Sequence, residues 1–127
     1  MSNQKYSEKR RFGNMGEDLV CRFLMKRGHR IIFRNYLRRV GEIDIVSEKG
    51  NVVHFTEVKA VSRETKNFLP ENQVNWKKML HMKRVIDLFV QEKRIYNREL
   101  QVNVATVVVD VEGRRGSVKV IENVILN

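Results

Sequence analysis

Apolar and polar positions change period several times along the chain, and each change marks an element. Met15, Leu19, Val20, Phe23 and Leu24 recur every three or four residues, the spacing of a helix with one buried stripe. Asn14 is placed to cap that helix and Gly28 to stop it. A short strand is expected at residues 30–33, followed by a polar loop over 34–40. The period then drops to two. In a strand at 42–46, Glu42 and Asp44 leave one face while Ile43 and Ile45 leave the other. The polar stretch 47–51, with Gly50, turns the chain into a second strand at 52–59, where Val53, Phe55, Glu57 and Lys59 share a face. A polar loop over 60–71 leads to a helix from about Asn72 or Asn75 to Lys93, with Met79, Met82, Ile86, Phe89 and Val90 as its apolar stripe. A β-branched run at 101–111 and a return at 117–126 complete the pattern. The class is α/β: a mixed sheet of about five strands flanked by two helices.

The hairpin at 41–59 carries the chemistry. Antiparallel pairing through its turn brings Asp44 near Glu57, and like charges on paired strands either protonate or recruit a cation. Residues 41–60 hold Glu42, Asp44, Glu48 and Glu57 against Lys49 and Lys59, an acidic island in a chain of net charge +10. Mg²⁺ suits such a site, since it takes one or two carboxylates together with water and phosphate oxygens. The spacing alone fits better a hairpin whose carboxylates are solvated or paired with nearby Arg38 and Arg39.

Composition narrows the classes. The 127 residues suffice for a single domain, and 42% hydrophobic with 31% charged residues suits a folded chain. Cys21 is the only cysteine, so no internal disulfide forms, and no apolar run reaches membrane or signal-peptide length. A reducing, cytoplasmic setting is expected. One Cys with scattered His29, His54 and His81 lacks zinc-ligand spacing. Cys21 reads as a small buried hydrophobe. His54, on the face opposite Glu57, reads as packing or partly exposed and not as a ligand. The pI near 10.1 points to a polyanionic partner. Eleven Lys or Arg against three acids in residues 1–40 give +8, which sets a basic wall beside the acidic hairpin. Residues 1–11 read as a flexible basic tail.

Asp44 followed by Glu57-Val58-Lys59 on the next strand resembles the Asp…Glu-X-Lys signature of the PD-(D/E)XK nuclease superfamily. Four features together, Gly16-Glu17, Gly41-Glu42-Ile43-Asp44, Phe55-Thr56-Glu57-Val58-Lys59 and Pro70…Val74…Lys78, resemble the YraN-like family of small uncharacterised bacterial proteins. Those proteins are predicted endonucleases similar to archaeal Holliday-junction resolvases. The resemblance implies a restriction-endonuclease-like fold and metal-dependent cleavage of DNA, branched or recombination intermediates included. It implies that Asp44, Glu57 and the Val58 carbonyl hold Mg²⁺ or Mn²⁺. Lys59 then orients or deprotonates the attacking water or stabilises developing charge, and Glu17 helps hold a metal or its water. Without the resemblance, Glu17 is an acidic residue in a helical first turn, favoured there by the dipole.

The expected nucleic-acid contacts are Arg38 and Arg39 in the loop, Lys77 and Arg84 on a basic helix stripe with His81, and Lys78 at the position of the family's helical lysine. DNA is favoured over RNA, and there is room for a homodimer. Where relatives tend to carry Phe-Asp at the start of the long strand, this chain has Val102-Asn103, which puts any role of that position in the site in doubt. Two other functions fit the same charge: a basic nucleic-acid-binding module without catalysis, and a subunit of a DNA-processing assembly.

Overall fold

The computed structural model describes the backbone of residues 2–62, 76–110 and 115–124, and side chains within 12–61, 77, 79–110 and 116–124. Among the described residues, two helices and five strands follow in the order α1 (Ser2–Lys26), β1 (Arg30–Arg38), β2 (Gly41–Lys49), β3 (Val52–Ser62), α2 (Trp76–Lys93), β4 (Glu99–Asp110) and β5 (Arg115–Ile121). All strands lie in one sheet in sequence order, antiparallel at every step except the parallel pair β3–β4. A parallel pair needs a crossover, and α2 is that crossover. This is the α/β mixed sheet with two helices that the hydrophobic periods predict.

Each helix covers one face. Met79, Met82, Val85, Ile86 and Phe89 of α2 pack on Tyr36, Ile43, Val46, Val53, Phe55 and Val104. Phe89 meets Tyr36 and Phe55 edge-to-face at centroid distances of 5.0 and 5.7 Å, contacts each worth about 0.5–1.5 kcal/mol beyond area burial. Val20, Cys21 and Leu24 of α1 pack on Ile45, Ala105, Val107 and Val109 of the other face. Strand β4, next to central β3, gives Val104 to the α2 side and Ala105, Val107 and Val109 to the α1 side, which is why its β-branched residues occupy both faces. Cys21 is buried, as a small hydrophobe should be.

Several boundaries differ from expectation. Helix α1 begins at Ser2, so Asn14 lies inside it and the expected basic tail is helical backbone. Its end is as expected. Gly28, at φ 88°, closes it with N–H bonds from His29 to the Leu24 carbonyl and from Gly28 to the Met25 carbonyl. Helix α2 closes the same way with Arg94 at φ 54° in the glycine position. The expected loop at 34–40 is mostly strand, because β1 runs to Arg38. The expected loop at 60–71 starts later, because β3 runs to Ser62; Pro70, Val74 and the rest of residues 63–75 lie outside the described residues. Among those described, no helix is long and apolar enough to cross a membrane.

Candidate active site

The site begins where the sheet stops being regular. The β2–β3 ladder runs from Lys49↔Val52 to Ile45↔Thr56 and ends there, while β1–β2 pairing continues to Gly41 and β3–β4 pairing to Ser62. Residues 41–44 therefore follow β1 and residues 57–62 follow β4, and the two strands part. At the vertex the Val58 N–H donates to Asp44 Oδ2 at 2.8 Å, in place of the next ladder bond. Asp44 is thereby fixed beside Glu57 and Val58, as the hairpin register predicts. Its Oδ1 remains the oxygen it can offer a cation.

The parting also overturns the expected alternation. Ile43 belongs to the α2-side core and Ile45 to the α1-side core, although a regular strand would put both on one face. The same reversal occurs on β1, where Arg34 reaches α1 and Tyr36 packs under α2. Between them Asn35 has φ 54°, and the register passes over it from Arg34↔Ile45 to Tyr36↔Ile43. Both strands roll over at this point. The roll turns Asp44 out of the alternation and into the gap between β2 and β3.

The other candidates arrive from both sides of the sheet. On β3, Val53 and Phe55 face α2 while Val58 and Ala60 face α1, so Glu57 and Lys59 continue the α2 face. Glu57 is buried and Lys59 exposed. Glu17 comes from α1, and the residue before it explains how. A Cβ on Gly16 would stand 2.8 Å from Ala60 Cβ and 3.1 Å from Val107 Cγ1. Only glycine lets the helix lie this close to the sheet, and the close approach puts Glu17 within reach of Asp44. Burial raises the Glu17 carboxyl above the ordinary carboxylate range, the charges of Asp44 and Glu42 raise it further, and Arg34 opposes them. Arg34 stands 3.5 Å from Glu17 and 2.8 Å from Asp18. With α1 starting at Ser2, Glu17 is mid-helix, and the first-turn reading of it falls away.

Three carboxylates thus surround one parting of the sheet: Glu17 from the α1 side, Asp44 at the vertex and Glu57 from the α2 side. Among the described residues no three His, Cys, Asp or Glu side chains form a metal cage. A cation held here would take Asp44, Glu57 and the Val58 carbonyl and complete its shell with water or phosphate oxygens, a ligand set that suits Mg²⁺. Arg34 and Thr106 escaped the sequence pattern. Thr106 pairs with Lys59 across the β3–β4 ladder, and its buried Oγ1 makes no hydrogen bond among the described residues. Only the register reveals it.

The basic candidates separate. Arg38 forks onto Glu92 through Nε (3.1 Å) and Nη2 (2.8 Å) and lies over the Tyr36 ring. Its hydrogen bond and charge pull the Glu92 carboxyl down to about 2. That pair is solvent-exposed, so it competes only weakly with a phosphate for Arg38. Of the hairpin carboxylates, Glu48 is held by Arg30 and, at 2.7 Å, by Arg98, at the end of the hairpin away from Asp44. Arg39 is exposed in the β1–β2 turn. Gly41, at φ 151°, brings that turn onto α2, where a Cβ would meet Val85 Cγ2 at 2.9 Å and His81 Cβ at 3.8 Å. Arg39 lies two residues before this contact with α2, whose Lys77, Leu80, His81, Lys83, Arg84 and Asp87 line a groove of about 660 Å³. Of Lys78 only the helical backbone is described. His54 is buried on the face opposite Glu57, as a packing residue should be.

A family model described as Uncharacterised protein family UPF0102 matches residues 16–111, the span that contains Glu17, Asp44, Glu57 and Lys59. A UPF0102 protein of Caldicellulosiruptor saccharolyticus is 35% identical over 115 residues, covering 91% of this chain and 97% of the relative. One from Alkaliphilus metalliredigens is 35% identical over 79% of this chain and 87% of its own. One from Caldicellulosiruptor bescii is 40% identical over 66% and 74%. These matches bear out the resemblance to the YraN-like proteins, and the chain belongs to Uncharacterised protein family UPF0102.

Proposed function

We propose that this protein is a divalent-metal-dependent nuclease that hydrolyses phosphodiester bonds in DNA, branched intermediates included, and that it works in the cytoplasm. The observation that carries the reading is the parting of β2 from β3, with the Asp44 carboxylate on the Val58 N–H. It sets one carboxylate directly beside Glu57-Val58-Lys59 at an opening in the sheet.

Asp44, Glu57 and the Val58 carbonyl hold Mg²⁺ or Mn²⁺. When bound, such an ion makes a water more acidic and offsets charge on the scissile phosphate. Buried carboxylates in a strongly basic chain serve that role well, because burial weakens the competition from bulk water and the surrounding cations draw the substrate in. Lys59, exposed beside buried Glu57, orients the attacking water or stabilises the charge that develops on phosphate. Glu17 holds water on the α1 side. Arg39, Lys77, Lys78 and Arg84 receive the DNA backbone without reading its sequence.

The test compares binding with cleavage. Lys59→Ala removes one positive charge among 25 Lys and Arg, so DNA binding in chelator changes little. Cleavage in Mn²⁺ falls by roughly 10² to 10⁴, the usual contribution of a positioned acid–base group. Glu57→Ala abolishes cleavage and leaves binding intact or slightly tighter. Wild-type protein that binds branched, duplex and single-stranded DNA but cleaves none would instead be a binding module.

A further inference from the structure

Away from the parting, on the α1 face near the β2–β3 turn, a chain of hydrogen bonds ties the segment after β5 to the sheet. The backbone N–H of Asn123 reaches Asn103 Oδ1 at 3.1 Å, and Gln101 Nε2 reaches the same oxygen at 3.0 Å. Asn103 Nδ2 lies 3.0 Å from His54 Nδ1. The Val124 N–H donates to the Val102 carbonyl at 2.7 Å. The polarity of this chain is decided by one group. A backbone N–H can only donate, so the atom facing Asn123 is the amide oxygen of Asn103, and the atom facing His54 is its NH₂. His54 Nδ1 must therefore be a lone pair, with the ring proton on Nε2.

We infer that His54 and Asn103 form an acid-released latch on residues 122–124: protonation of His54 Nδ1 sets N–H against NH₂ and ends the arrangement that holds Asn123. Turning the Asn103 amide restores the bond to His54 but presents NH₂ to the Asn123 N–H, which unlike the Gln101 amide cannot turn to accept, so the side-chain hold on Asn123 is lost either way and only the Val124 backbone bond remains. His29 is no such gate. Its Nδ1 meets the Ser47 hydroxyl at 2.9 Å, and a hydroxyl can rotate to donate or to accept. The ring of His29 does pack against that of His54, with centroids 4.5 Å apart. The charged groups that face His54 from the packed elements are Lys49 on β2, Glu99 on β4 and Glu122 after β5. Burial lowers the His54 pKa and Lys49 lowers it further, against Glu122 and Glu99, which agrees with the donor geometry.

The sign of the pH effect follows. A histidine held below its unfolded value of about 6.5 contributes stability that is complete above that pH and is lost as pH falls below it. Asn103→Asp inverts this. A carboxylate still accepts from Asn123 and Gln101 but now also accepts from a protonated Nδ1, so the contribution is present below about pH 6.5 and lost as pH rises through the raised value. The latch is independent of the nuclease reading.

Amide hydrogen exchange by NMR on the full chain, corrected for intrinsic rates, tests it between pH 8 and 5. In wild type, protection of the Asn123 and Val124 amides should fall by about tenfold per unit that the His54 pKa is depressed, while the Val104–Val109 amides keep theirs. Asn103→Asp should reverse the trend at Asn123. His54→Gln, which keeps an acceptor for Asn103 but does not titrate, should remove it. ¹⁵N shifts of His54 at pH 7.5 should show an unprotonated Nδ1. Protection at Asn123 that is flat with pH in wild type, a fall that survives in His54→Gln, or a protonated Nδ1 would each overturn the latch.

Discussion

Gly16→Ala sets two opposed effects against each other at the contact that carries Glu17 to the site. In an exposed helix interior the exchange would stabilise by about 1 kcal/mol, because glycine is the poorer helix former. Here the new methyl lands 2.8 Å from Ala60 Cβ and 3.1 Å from Val107 Cγ1. Ala60 has no rotamer with which to retreat, so the helix or the strand must move, and overpacking of that kind costs about 1–3 kcal/mol. With about 2 kcal/mol for the clash against 1 for propensity, the variant should be destabilised by about 1 kcal/mol, a fall of roughly 4 °C for a chain of this size. Thermal unfolding of Gly16→Ala, Ala60→Gly and the double variant checks the cause. If the two methyl groups collide, the double variant should recover about 1–2 kcal/mol relative to the sum of the singles. A gain of the full propensity value in Gly16→Ala, with no coupling to Ala60, would refute the close docking of α1 on the sheet.

Glu17→Gln should raise the melting temperature at pH 8 and lose that advantage toward pH 4: the Glu17 pKa is raised, so its contribution is complete below the unfolded value and is lost as pH rises through the folded one. An advantage that does not change with pH would contradict this. Arg94→Gly should stabilise by about 0.5–1 kcal/mol, since Arg94 closes α2 at φ 54° where glycine has no Cβ to strain; a loss on denaturant unfolding would count against it. Thr106→Val removes a buried hydroxyl that makes no hydrogen bond among the described residues and should raise stability by about 1 kcal/mol, with an unchanged or lower melting temperature as the contrary result.

The elements that bury one face were legible in the sequence, because burial imposes a period. The stripes of α1 and α2 and the apolar run of β4 are cases in point. The first half of α1 was not, since residues 2–11 are almost entirely polar or charged and Asn14 imitates a cap. Nor was the length of β1, an edge strand whose mostly exposed residues carry no alternation. At the site, the pairing of Asp44 with the Glu57-Val58-Lys59 strand followed from hairpin register. The roll at Asn35 and Asp44 did not, because it depends on where the β2–β3 ladder ends. Arg38 was expected in a loop, on phosphate or the hairpin carboxylates, and its partner Glu92, 54 positions away, came to it only by folding. Asn103 likewise gained its role from Asn123 and His54, neither of them its neighbour in sequence.

The proposed nuclease requires a cation between Asp44, Glu57 and the Val58 carbonyl at the parting of β2 and β3. Paramagnetic broadening of the backbone NMR spectrum by substoichiometric Mn²⁺ tests this directly. The amide signals of Val58, Lys59 and Asp44 should broaden first in wild type, ahead of those around Glu48 and Asp87, and Asp44→Asn should remove that preference. Broadening centred elsewhere, or unaffected by Asp44→Asn, would contradict the account.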